Sequence, residues 1–215
     1  MSTSGWETRL YWRWILYNSL AFIALLTAVS VLVWLTADVL NLAVANRSMI
    51  SALLVATFGA LLFGTVLGSL QWLVVRERLP IPRRQWIVAN VGPALVGWLL
   101  VIMPAVIQAQ NTDADVGLAY MLAVSQTLAL GPLLGLSQSL VLRKYTGRWA
   151  WWIGANLASW LIVDLLVALV QHFNPFDFSH GNDSIAQLYL MLVATTPLTG
   201  RALLWVLAPS ALLDQ

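Results

Sequence analysis

Two ionisable side chains fall deep inside apolar stretches of this chain. Asp164 lies within residues 152–170 and Arg201 within 184–207. A charge buried among apolar residues is costly, and it is kept where it pairs, moves a proton or meets a substrate. At about 1.5 Å per helical residue, Asp164 stands about 18 Å above Trp152, and Arg201 about 9 Å from the same end of its own stretch. The two stretches run in opposite directions, and helical side chains lean toward the helix N-terminus. Asp164 and Arg201 therefore lean toward each other, and a direct or water-bridged ion pair is expected. Such a pair could fix helix register or serve a substrate or proton, and Arg201 could instead snorkel to the interface.

Other chemistry is thin. There is no cysteine, which removes disulfides, thiolate metal sites and a cysteine nucleophile. Gly135-Leu136-Ser137-Gln138 departs from the Gly-x-Ser-Gly of intramembrane serine proteases. The two histidines, His172 and His180, lie toward the opposite end, so Ser137 has no base within reach. Those histidines with Asp177 and Asp183 are the one candidate ligand set in a loop, and at that density of loop polar residues no metal site is expected. No phosphate-cradling glycine loop lies outside the apolar stretches. The reading is therefore not an enzyme and no metal. Deep tryptophans such as Trp98 and Trp160 could stack on a flat ligand or simply pack a core. No cofactor is implied beyond a bound lipid or pigment.

The elements that must position these groups follow from composition. Apolar residues make up 60% of the chain and charged residues 9%. Soluble domains carry about a quarter charged residues, so lipid must be the solvent over most of this surface. Six apolar stretches, at about 14–36, 51–75, 86–109, 116–142, 152–170 and 184–207, are each long enough to span a bilayer. Pro93, Pro104, Pro132 and Pro197 fall inside them and are expected to kink their helices. Arginines cluster before the first stretch and between stretches two and three and four and five, while the alternate loops are acidic. The positive-inside rule puts both termini in the cytoplasm. Trp6, Arg9, Trp12 and Arg13 form an amphipathic lead-in to the first span rather than a cleavable leader. The basic residues fall in loops, so the small positive charge does not indicate nucleic acid. Trp12, Trp14, Trp86, Trp149, Trp151, Trp152 and Trp205 are expected to form an interfacial aromatic belt.

The string Trp-Ile-x-x-Asn occurs three times, ending at Asn18, Asn90 and Asn156. Each copy opens an apolar run, and the next run carries a small-xxx-small step: Gly64/Gly68, Gly131/Gly135, and more weakly Thr196/Gly200. Three residues after the step stand Gln71 and Gln138, and five residues later Arg76 and Arg143. In the third copy Leu203 stands where the glutamine would be. Each Asn lies about 6 Å, and each Gln about 7 Å, inside the cytoplasmic interface. They share a depth, where interhelical hydrogen bonds contribute about 0.6 to 2 kcal/mol each and glycines allow close helix approach. The polar band is either packing glue or the lining of a site or pore. The expected fold is all-α: a single polytopic membrane domain over 1–215, six transmembrane helices as three repeated hairpins (about 14–76, 86–143 and 152–207), arranged with pseudo-threefold symmetry.

That plan resembles the three-hairpin layout of mitochondrial carriers, but the carriers' proline–acid–base motif is absent from spans one, three and five. The segments Gly64-Thr-Val-Leu-Gly-Ser-Leu-Gln-Trp-Leu-Val-Val-Arg76 and Gly131-Pro-Leu-Leu-Gly-Leu-Ser-Gln-Ser-Leu-Val-Leu-Arg143, each followed by Trp-Ile-x-Ala-Asn, resemble a family of small, uncharacterised six-span membrane proteins. That family occurs in phototrophic bacteria, both cyanobacteria and green non-sulfur bacteria. The resemblance implies a bacterial inner or photosynthetic membrane and no particular activity. The expected function is a non-enzymatic accessory subunit of a larger, photosynthetic membrane complex, with the lipid bilayer and other membrane subunits as partners. The rival is a small-molecule binding or transport protein resembling the vitamin-binding components of energy-coupling-factor transporters. An enzyme acting on lipid or pigment is a third class.

Overall fold

The computed structural model describes residues 4–35, 49–110, 131–173 and 183–208. It is all-helical, with six helices and no strand among the described residues: α1 Ser4–Leu35, α2 Met49–Val75, α3 Arg83–Gln110, α4 Gly131–Leu142, α5 Trp149–Phe173 and α6 Asp183–Leu207. Some side chains within these helices, Asp164 and Trp98 among them, lie outside the described residues, as do His172 and the segment carrying His180 and Asp177. Among the described residues, Thr57–Val75 is the one segment long and apolar enough to cross a membrane by length and composition. Gly131–Leu142 is apolar but shorter.

The lead-in is the first part of α1. Residues 4–13 continue into α1 as one 32-residue helix. No proline interrupts them, Glu7 in the first turn complements the helix dipole, and Leu10 is fully buried, which anchors the added turns. At the start of α3 the carbonyl of Pro82 accepts the first bonds, from Gln85 N (3.0 Å) and Trp86 N (3.3 Å). Proline suits this place because a helix start has no use for its missing donor.

The helices follow one another around a ring in chain order. α1 packs on both α2 and α6, α2 on α3, and α5 on α6. α4 joins α5 through Gly131 and Gly135, and α3 through the Gln138–Asn90 bond. The repeat extends to the backbone of its turns. Arg76 N bonds Trp72 O and Leu79 N bonds Val75 O (2.9 and 3.0 Å). Sixty-seven residues on, Arg143 N bonds Ser139 O and Thr146 N bonds Leu142 O at the same two distances.

Where the small-residue steps dock is less expected. They meet the Trp-Ile-x-x-Asn helix that follows them, not the one that precedes them. A Cβ on Gly68 would lie 3.1 Å from both Asn90 Cβ and Ile87 Cα, and one on Gly135 would lie 2.9 Å from Asn156 Cβ and 3.2 Å from Ile153 Cα. The same two positions of the repeat face the same glycine in both copies. The third contact closes the ring: Gly200 of α6 lies against Trp14 and Tyr11 of α1. The glycine contacts thus join α2 to α3, α4 to α5 and α6 to α1, the last across the two ends of the chain.

Candidate functional site

The three asparagines do the same thing. Asn18 Nδ2 donates to Trp14 O at 2.8 Å, Asn90 Nδ2 to Trp86 O at 2.8 Å, and Asn156 Nδ2 to Trp152 O at 2.9 Å. Each amide spends a donor on the carbonyl one turn below and turns its oxygen inward. The spacing of four residues in Trp-Ile-x-x-Asn is what this bond requires.

The glutamines then join the helices. Gln71 Nε2 donates to Asn18 Oδ1 at 2.8 Å. Gln138 Nε2 donates to Asn90 Oδ1 and to Gln71 Oε1, both at 2.9 Å. Trp152 Nε1 donates to Gln138 Oε1 at 2.7 Å. One unbroken chain of bonds thus runs from α5 through α4 to α3, α2 and α1. All five amide side chains are buried, so each bond replaces a polar atom left bare in an apolar interior.

Trp14, Trp86 and Trp152 belong to this interior. They are at most 1% exposed, so the expectation that they sit in an interfacial belt is corrected. The reason is their indole N–H groups, two of which find partners only inside: Gln138 for Trp152, and Thr199 Oγ1 for Trp14 at 3.0 Å. Among the described residues Trp12, Trp151 and Trp205 are the exposed indoles. Trp14 and Trp152 also meet edge to face across the ring, 5.6 Å between centroids at 81°.

Leu203, in the glutamine's place, is fully buried in the apolar cluster around the tryptophans. Its absent amide is replaced one turn away. Thr199 Oγ1 accepts from Trp14 and donates to Thr195 O at 2.6 Å. Sequence reasoning missed Thr199; the run Thr195-Thr196-Pro197-Leu198-Thr199 was the available signal, since hydroxyls can bond back to the helix they stand on. No family model, curated protein or solved structure matches the chain.

By the pattern of Trp152, Trp86 would donate to Gln71 Oε1, but in the structure that oxygen accepts from Gln138 instead. Trp86 Nε1 is the buried side-chain atom without a partner among the described residues. Such an orphan costs about 1 to 3 kcal/mol. Trp86→Phe is therefore expected to cost less stability than Trp152→Phe by about that amount, because the latter also strips a donor from Gln138. Thermal unfolding of the two variants in one detergent measures the difference.

A cavity of about 40 Å³ lies beside the chain, lined by Asn18, Gln71, Asn156 and the three threonines, with Trp160 and Phe63 among its apolar walls. It has room for a few water molecules at most, whereas small-molecule sites occupy about 300 to 1,000 Å³. Trp160, one of the expected stacking residues, is buried, and a Cβ on Gly131 would overlap its indole. One face of that ring is spent on helix packing against Gly131. Arg201 is exposed on α6; the Asp164 side chain, and with it the expected ion pair, lies outside the described residues. Among the described residues no group of metal-ligating side chains occurs.

The basic ends are tied down by different means. Arg13 bridges to Glu77 and donates to Tyr17. Its pKa is raised, chiefly by the Tyr17 hydrogen bond, so it stays cationic at every working pH. Arg78 lies over Trp6 at 3.9 Å and Arg76 over Trp72 at 4.7 Å. Trp72 in turn donates to Ile81 O at 2.8 Å and pins the turn. The α4–α5 turn caps α6: Thr146 Oγ1 donates to Val206 O (2.9 Å) and Arg148 Nη1 to Trp205 O (3.1 Å). Those are the terminal carbonyls a helix leaves unpaired, and a cation there also meets the negative end of the dipole.

Proposed function

We propose that the chain is a six-span integral membrane protein and a non-enzymatic accessory subunit of a larger membrane assembly. The observation that carries this reading is the way side chains are sorted. Asparagine, glutamine and indole groups turn inward onto one another. Every helix turns large apolar side chains outward, for example Leu16, Leu54, Val88, Leu140, Leu165 and Leu198. Water does not favour a surface covered this way, whereas lipid or neighbouring apolar helices do. The polar band then holds the helices in register.

The interior favours a subunit over a small-molecule carrier. The amides are consumed by bonds to each other, and the described cavity is far below the size of a vitamin or pigment. A photosynthetic assembly is the setting implied by the likeness of segments 64–76 and 131–143 to proteins of phototrophs. The exposed Trp151–Trp205 pair (4.9 Å, 77°) and Trp12 mark where a partner helix or the interface would lie.

Solubilisation of the native membrane in a mild detergent followed by native electrophoresis tests this. The expected result is co-migration with other membrane subunits in fixed ratio. A chain that runs alone in every mild detergent would sink the subunit reading and leave the bundle without its proposed role.

A further inference from the structure

The three hairpins present three equivalent openings at their basic ends, between a Trp-Ile-x-x-Asn helix and the helix that follows. Two of them are closed by the chain itself. Between α1 and α2, Arg13 bridges to Glu77. Between α5 and α6, Trp151 packs edge-on against Trp205, with the Arg148 guanidinium 4.9 Å from the Trp205 ring centre.

The opening between α3 and α4 is not closed. It is an open groove of about 710 Å³, with Arg84, Arg143 and Lys144 at its mouth and Val88, Leu140 and Val141 along its walls. Three substitutions within the repeat explain the difference. Gln85 stands where the first copy has Arg13 and Lys144 where it has Glu77, so both members of the bridge are gone and a third cation has appeared. Ser139 stands where the first copy has Trp72, so Arg143 lacks the ring that Arg76 lies against. Among the described residues Arg84, Arg143 and Lys144 make no ion pair, ring contact or side-chain hydrogen bond, whereas Arg13, Arg76, Arg78, Arg83 and Arg148 all do. All three are exposed.

We infer that this groove holds one acidic phospholipid from the surrounding bilayer, its phosphate clamped by Arg84, Arg143 and Lys144 and an acyl chain laid along Val88, Leu140 and Val141. The charge and the shape agree on this occupant. Three cations that make no ion pair among the described residues line one open groove, and the apolar side chains of α3 and α4 line the rest of it. An acidic peptide would find the cations but would have to bury its backbone along Val88, Ala89, Leu140 and Val141, where Gln85 and Ser137 are too few to satisfy it. Basic pockets between helices at the cytoplasmic side are a common form of acidic-lipid site. The inference rests on the membrane reading above, but it is independent of whether the chain joins a larger assembly.

The test uses the full chain in detergent, with thermal unfolding and native mass spectrometry read against added phosphatidylglycerol, phosphatidylcholine or inorganic phosphate. Phosphatidylglycerol is expected to raise the unfolding midpoint and to be retained as a one-to-one adduct; the other two are expected to do neither. In the triple variant R84Q/R143Q/K144Q the apparent affinity should fall about a hundred-fold, from about five-fold per cation. K144E alone, which replaces a cation with an acid, changes the local charge by two and should lower the affinity about twenty-five-fold. R9Q, which removes an exposed cation elsewhere, should leave it intact. Retention of the adduct by the triple variant, or an equal response to phosphatidylcholine, overturns the site. An equal response to inorganic phosphate overturns the lipid as its occupant. A failure of the membrane topology itself would show instead as labelling of Asp38→Cys and Gly147→Cys from the same side of the membrane.

Discussion

A Gly64→Val chain is expected to lose the α2–α3 contact and, with it, the closed ring. A Cβ at Gly64 would stand 2.5 Å from Val91 Cα and 2.8 Å from Val91 N. The obstacle is backbone rather than the tip of a flexible side chain, so nothing can step aside without parting the helices. Overpacking of this kind costs about 1 to 3 kcal/mol, and more where backbone must move. For a chain of this length that corresponds to a fall of about 10 °C in the unfolding midpoint. Gly92 and Gly154 are the internal controls. They lie on the same helices as Val91 and Asn156, and a Cβ at either meets nothing within 4 Å. Gly92→Ala and Gly154→Ala should therefore be neutral or stabilising, since alanine is the better helix former by about 1 kcal/mol. Equal behaviour of Gly64→Val and Gly92→Ala would mean that α2 and α3 are not in contact at this register.

The second large effect belongs to Gln138. Its amide donates to Asn90 and Gln71 and accepts from Trp152. Gln138→Leu keeps the volume and strips partners from two buried acceptors and one buried donor at once. Each such loss costs about 1 to 3 kcal/mol, so a total of about 3 kcal/mol or more is expected. Gln71→Leu interrupts fewer bonds and should cost less. The double variant should lose less than the sum of the two, because the bond between Gln71 and Gln138 is removed only once. Chemical or thermal unfolding in one detergent measures all three. A Gln138→Leu loss below about 1 kcal/mol would mean that the amide chain does not hold the helices in register.

How much of this was legible beforehand depends on how rare each residue type is in the chain. Asparagine and glutamine are scarce in the apolar runs, so their recurrence at fixed offsets was readable, and their common depth followed from helix rise. The partner of each glycine was not readable. Gly64, Gly68 and Gln71 share one stripe of α2, at spacings four and three, and that stripe serves two neighbours. The bare glycine backbone admits α3, while the long Gln71 side chain reaches back to α1. Periodicity gives the face of a helix but not which neighbour each position on that face will touch. The tryptophans were misplaced for a related reason. Trp12 and Trp14 stand two residues apart and Trp151 and Trp152 are adjacent, so depth alone assigns them together, while the helical turn sends one of each pair outward and the other into the core. In the third copy Leu203 cannot bond; Thr199, one turn away, supplies the missing acceptor by a route that no alignment of glutamines would suggest.

The central claim is that the polar chain is the interior of a bundle that crosses the membrane six times with its basic turns on one side. The chain contains no cysteine, so single cysteines report on topology without background. They would be placed at Gly5 and Gly147, where a Cβ meets nothing within 4 Å, and at Asp38, Asp115 and Asn182 in the alternate loops. Intact cells stripped of their outer layers are then treated with a membrane-impermeant maleimide. The expected result is labelling at positions 38, 115 and 182 and none at 5 and 147 until the membrane is opened. Labelling of Asp38→Cys and Gly147→Cys from the same side would contradict the six-span bundle.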